Sequence, residues 1–143
     1  FMSNKRASRI LAPPIASATV FSGQTAREVR AMLEMAVQPG GTAPKAQIPG
    51  YRVAGKTGTA HKLDGGTYAD KYVSSFIGFA PASDPRLVVA VMIDEPSAGK
   101  HYGGDVAAPV FAQIMAGALR TLGVPQDQPL KPLIMAEAVK EGV

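Results

Sequence analysis

Gly50-Tyr51-Arg52-Val53-Ala54-Gly55-Lys56-Thr57-Gly58-Thr59-Ala60 decides how the rest of the chain is read. Two incompatible structures fit it. Written Gly50-x-x-x-x-Gly55-Lys56-Thr57, it matches the phosphate-cradling loop of nucleotide hydrolases. Written as a strand, it puts Tyr51, Val53, Gly55, Thr57 and Thr59 on one side, with interior glycines where another backbone or a ligand comes close. A phosphate loop must feed directly into a helix whose positive end faces the phosphates. The residues after Thr57 include Gly58, Gly65 and Gly66 and carry no helical apolar stripe. Tyr51-Arg52-Val53 is bulky and strand-favouring where such a loop needs freedom. Val88 to Ile93 followed by Asp94-Glu95 imitates a strand ending in a magnesium-binding acid pair. A parallel nucleotide-binding sheet needs crossover helices, however, and none separates these segments. The strand reading prevails, and Asp94-Glu95 becomes a strand-end turn with solvated acids.

Outward from this strand, Asp64-Gly65-Gly66 signals a hairpin turn. Tyr72 to Ala80 is the returning strand, and Pro81 to Pro85 turns the chain again. Leu87 to Ile93 is an unbroken apolar run, which predicts a central strand buried on both faces. Short connections make the three strands antiparallel. Upstream, Thr25-Ala26-Arg27-Glu28 has the form of a capping box. Val29, Met32, Leu33, Ala36 and Val37 then predict a helix over about 25–37, ended by Pro39-Gly40-Gly41. Residues 38–50 read as a loop, and Ile15 to Phe21 as a short strand. Downstream, Glu95 to Gly104 is a loop. Asp105 caps a long, largely buried helix with Pro109 in its first turn, and Gly123 closes it. A short helix near 134–141 completes the chain. The predicted fold is α/β of the α+β kind, an antiparallel sheet flanked by helices.

The chain has 143 residues, 46% of them apolar and 18% charged, with a formal charge of +4. One domain or part of one fits this length. The mild positive charge comes without a block of like charges, so a nucleic-acid partner is not expected. With no cysteine, disulfides and thiolate metal sites are excluded. His61 and His101 lack zinc-ligand spacing, and neither a metal nor a cofactor is expected. No apolar run reaches the ~18 residues of a membrane helix.

Lys56-Thr57-Gly58-Thr59 on a strand bordering a cleft makes chemical sense. The lysine supplies fixed positive charge, and the threonine hydroxyls bind a carboxylate. Gly58 lets an extended substrate lie against the strand, and an amide near Thr59 faces a developing oxyanion. These are the parts of an acyl-transfer site.

With Gly55 to Ala60, the series Phe76-Ile77-Gly78-Phe79-Ala80-Pro81, Ile93-Asp94-Glu95-Pro96, Tyr102-Gly103-Gly104 and Ala108-Pro109-Val110-Phe111 resembles the C-terminal part of the transpeptidase domain of class B penicillin-binding proteins. Gly40-Gly41-Thr42-Ala43 and Gly50-Tyr51 extend the likeness, which is greatest to the septal peptidoglycan transpeptidases of Gram-negative bacteria. The resemblance implies a partial domain of the serine β-lactamase-like fold. Residues 1–20 would be an irregular N-terminal segment that need not all be native, since Phe1 precedes Met2. Residues 21–125 would be the C-terminal half of the transpeptidase domain, and 126–143 a tail. It also implies D,D-transpeptidation through a serine acyl-enzyme. The partners implied are peptidoglycan stem peptides, β-lactams, the upstream part of the same domain and division proteins. The implied location is the inner membrane, with the domain facing the periplasm. Lys56 would tune protonation and attract the substrate carboxylate, Thr57 and Thr59 would bind it, and the Thr59 amide would complete the oxyanion hole. Gly58 would admit the donor peptide, and His101, Tyr102 and Gly103 would wall the acyl-side pocket. His61 would bind substrate as well, standing where many relatives have arginine.

The nucleophile motif Ser-x-x-Lys occurs only as Ser97-Ala98-Gly99-Lys100. Pro96, Gly99 and Gly103-Gly104 make that stretch a loop, and the motif needs a helix to bring positions i and i+3 together. The other family motif, Ser-x-Asn, is absent, since Asn4 is the sole asparagine. The attacking serine is therefore expected upstream. Rival readings are a non-catalytic peptide-binding or scaffold module of the same fold, a serine β-lactamase, and the nucleotide hydrolase.

Overall fold

The computed structural model describes residues 18–129. Helix α1 spans Gly23–Met35 and is capped by Ser22, whose hydroxyl accepts the Thr25 amide at 3.1 Å. The cap therefore lies three residues before the expected Thr25. Both residues carry a suitable oxygen, and the earlier one wins. Glu28 is occupied by the Gln24 side chain, 3.0 Å away. Residues 38–50 form a loop interrupted by a 3-10 turn at Pro44–Ala46.

Strands β1 (Ala54–Asp64), β2 (Thr67–Ala80) and β3 (Leu87–Asp94) form one antiparallel sheet in the order β1-β2-β3. This excludes the phosphate loop, because Lys56 and Thr57 lie within a strand with no helix after it. The hairpin between β1 and β2 turns at Gly65 and Gly66, with φ of 58° and 87°, a conformation that glycine adopts without strain. Both strands run several residues further toward this turn than the apolar pattern indicated.

One expectation is reversed. Among the described residues β3 is an edge strand, not the central one, and β2 lies in the middle. Val88 and Met92 are 70% and 74% exposed, while Val91 is buried. Two faces of the sheet therefore differ sharply. On one, Phe76 meets Phe111 edge-on at 4.7 Å, and Met115, Leu119, Val37, Ile48 and Val53 join them in the core. Each such buried side chain contributes roughly 1.5–3 kcal/mol. The other face presents Ile77, Val88 and Met92 to solvent.

The C-terminal helix is split. A short α2 (Gly103–Val106) leads into α3 (Ala108–Thr121), whose N-cap, Ala107, makes no side-chain bond. Asp105 does not cap the long helix; its carboxylate is taken by Lys45. Only one stripe of α3 is buried, and Val110, Ile114 and the C-cap Leu122 are exposed. Gly123 ends it with φ of 61°. The chain beyond is fastened to the start of the sheet. The Tyr51 hydroxyl donates to the Val124 carbonyl at 2.7 Å. Asp127 accepts from the Arg52 amide at 2.7 Å and from the Ser83 hydroxyl at 2.6 Å. Burial raises the Asp127 pKa, but the Ser83 and Arg52 hydrogen bonds outweigh it and hold the carboxyl below its ordinary value. Of the short strand expected at Ile15 to Phe21, the described part, 18–21, is irregular. The helix expected near 134–141 lies outside the described residues.

Candidate active site

Strand alternation sends Thr57 and Thr59 to the face that carries Phe76 and Ser74, and Lys56 to the face of Ile77. The threonines meet residues from two distant segments there. A cavity of about 350 Å³ is lined by Thr42, Lys45, Thr57, Thr59, Tyr102, Gly103 and Asp105, among others. The Thr57 hydroxyl lies 3.4 Å from that of Thr42, a weak donor contact. Thr59 accepts the Gly103 amide at 3.2 Å and keeps its own proton to donate.

Gly103 and Gly104 let α2 reach the sheet. A Cβ on Gly103 would come within 2.1 Å of the Ser75 carbonyl oxygen, and one on Gly104 within 1.9 Å of the Thr42 carbonyl oxygen. Both obstacles are backbone, so a side chain would force α2 away from β2 at Gly103 and away from the Thr42 loop at Gly104. Gly58 has a milder packing reason of its own, since its Cβ would meet the Ser75 hydroxyl at 2.5 Å.

Lys56 is exposed and donates to the Thr57 carbonyl at 2.9 Å. It does not line the cavity. The expected site residues thus divide, with the Thr57 and Thr59 hydroxyls on one side of β1 and the lysine on the other. β1, at the sheet edge, runs between them.

His61 and His101 are joined by a residue the sequence did not single out. Tyr72 stacks on His101 with ring centres 3.9 Å apart and planes 7° from parallel, and its other neighbour is His61 at 4.4 Å. Tyr102 continues the row from His101 at 4.5 Å. The Asp70 carboxylate, hydrogen-bonded to Tyr72, pushes the phenol above its usual pKa. His61 Nδ1 lies 3.2 Å from the Ala69 carbonyl, a contact satisfied when that nitrogen carries the proton. The buried Ser74 hydroxyl donates to the His101 carbonyl and fixes the loop. Ser97 to Lys100 lies in this loop and is not helical, so its serine and lysine do not share a helix face.

Thr42, Lys45 and Asp105 were not among the expected site residues. The first two lie in a loop without periodicity, and Asp105 had a plausible role as a cap. Asp105 is bonded by Lys45, with Lys100 at 3.7 Å from the same oxygen. The Lys45 hydrogen bond, aided by the Lys100 charge, holds the Asp105 carboxyl below its ordinary pKa.

The chain is 52% identical over 122 residues to the probable peptidoglycan D,D-transpeptidase PenA of Neisseria gonorrhoeae; the match covers 85% of this chain and 20% of that protein. The chain spans about a fifth of the length of most curated relatives it matches. The apo transpeptidase domain of penicillin-binding protein 3 from Burkholderia pseudomallei superposes with a TM-score of 0.74 at 53% identity, over 82% of this chain and 36% of that one. Penicillin binding protein 3 of Mycobacterium tuberculosis, solved in complex with ampicillin, gives 0.67 at 38% identity, over 78% and 27%. The family profile described as the penicillin binding protein transpeptidase domain matches residues 3–116, and with sheet, helices and matched segments in agreement, the chain belongs to that family.

Proposed function

We propose that this chain forms the substrate-holding part of a peptidoglycan D,D-transpeptidase, which cross-links stem peptides through a serine acyl-enzyme and is acylated by β-lactams. The observation that carries this is the convergence of Thr57, Thr59, Tyr102 and Gly103 on one cavity beside an edge strand. In this role the two hydroxyls hold the substrate carboxylate and the Thr59 amide receives the oxyanion. An extended donor peptide lies along β1 at Gly58. Lys56, on the opposite face, adjusts protonation at the nucleophile. The row from His61 to Tyr102 walls the acyl side.

The serine comes from the upstream part of the same domain, which covers the exposed face of Ile77, Val88 and Met92 and so brings its nucleophile to Lys56. Among the described residues no helix is long and apolar enough to cross a membrane. The substrate nonetheless puts the domain on the outer face of the inner membrane. Resemblance to septal enzymes makes septal wall synthesis and contact with division proteins part of the proposal.

The test is turnover of a D-alanyl-D-alanine thioester analogue by the complete protein that carries this chain. Thr57→Val and Thr59→Val should each lower kcat/KM about 10- to 100-fold, the worth of a hydrogen bond to a charged group. Peptide binding without any acylation would favour a non-catalytic module instead.

A further inference from the structure

Lys56, expected to attract the substrate carboxylate, does not point into the cavity that holds Thr57 and Thr59, and His61 does not line it either. Lys56 leaves on the other face of β1, with its ammonium on the Thr57 carbonyl. His61 is turned to Tyr72 and the Ala69 carbonyl. The cavity has a cation of its own. Lys45 lines it, from the loop between α1 and β1, and is half-exposed. Its partner Asp105 lines the same cavity from α2, and Lys100 approaches that carboxylate from outside. Two ammonium groups and one carboxylate leave this cluster with a net charge of +1, so it attracts an anion. Among the described residues, Lys45 is the one cationic side chain lining the cavity with Thr57 and Thr59.

Building on the acyl-transfer reading, we propose that Lys45 is the cation that pairs with the substrate carboxylate, and that Asp105 is its resident counter-ion, which the substrate displaces. Asp105 then stays neutralised by Lys100. The exchange explains how an acid is tolerated in a pocket built for an acid. It stores Lys45 at the cavity wall while the site is empty, and it lowers affinity for any ligand without a carboxylate to offer in return. Lys45 thereby becomes a specificity residue, selecting acyl donors with a free terminal carboxylate.

The experiment compares the rate of acylation of the complete protein by a penicillin and by its carboxyl methyl ester, at low and high salt. Lys45→Met should slow the free acid about tenfold at low salt and the ester less than twofold. Lys45→Arg should retain the free-acid rate. Asp105→Asn, which removes the competing anion, should speed the free acid severalfold, with the gain lost at high salt. Equal slowing of both probes by Lys45→Met would assign the lysine to packing and overturn the proposal. So would no slowing of either, or a loss on Asp105→Asn matching that on Lys45→Met. If neither probe acylates the wild-type protein, or if Thr59→Val changes neither rate, the acyl-transfer reading itself fails and takes this assignment with it.

Discussion

Asp127 ties three segments together with one carboxylate, accepting from the Arg52 amide and from both the amide and hydroxyl of Ser83. Such bonds to a partly solvated charge are worth less than buried ones, so Asp127→Asn should cost about 1–2 kcal/mol in urea denaturation at neutral pH. The sign of the pH dependence follows from the lowered carboxyl. Its contribution is complete above the unfolded value of 3.8 and is lost as pH falls through the lower folded value. The gap between wild type and Asp127→Asn should therefore be flat near neutrality and close in acid; a gap that widened there would contradict the assignment. Gly103 makes a second prediction. Gly103→Ala drives a methyl group into the Ser75 carbonyl and should cost about 1–3 kcal/mol as overpacking, with a parallel loss of acylation. At this scale the sequence was informative where the strand period applies. Thr57 and Thr59 lie two residues apart and had to share a face. Lys45 and Asp105 are neighbours only because a loop and a short helix meet over the sheet, and no local pattern encodes that meeting.

Among the elements, α1 and β3 each depart from simple expectation for the same reason. α1 has an apolar stripe, yet none of its residues is buried, and Met32 is 65% exposed. Polar links fix its position. Arg52 grips both Glu34 carboxylate oxygens, with Nη2 at 2.8 and 2.9 Å, and Arg30 donates to the Ser83 carbonyl at 3.2 Å. A two-pronged surface pair of this kind is worth about 1 kcal/mol. Glu34→Gln should accordingly raise amide exchange in α1 roughly fivefold without touching the β2 amides, and equal exchange in both would contradict an anchoring role. β3 announced itself as a doubly buried strand because its apolar run is continuous, and among the described residues it is an edge strand with Val88 and Met92 exposed. Periodicity reports what each face is built to contact, but not whether the covering segment lies within the same stretch of chain. Connection lengths were the better guide, and they gave the antiparallel order correctly.

For the whole molecule, the unequal faces of the sheet indicate how the domain is completed. Among the described residues the core face is closed by α3, while nothing covers the face bearing Lys56, Ile77, Val88 and Met92. If the upstream part of the domain covers it, Met92→Lys in the complete protein should cost about 2–3 kcal/mol of stability, as a charge buried against apolar surface does; a truly exposed position would stay within about 0.5 kcal/mol. On the proposed function, this chain holds and polarises the acyl donor while the attacking serine lies elsewhere in the protein. The most direct test of this claim is peptide mapping of the complete protein after reaction with a penicillin. The expected result is a single covalent adduct on a serine outside these 143 residues. An adduct on Ser97 or any other residue of this chain, or no adduct at all, would contradict it.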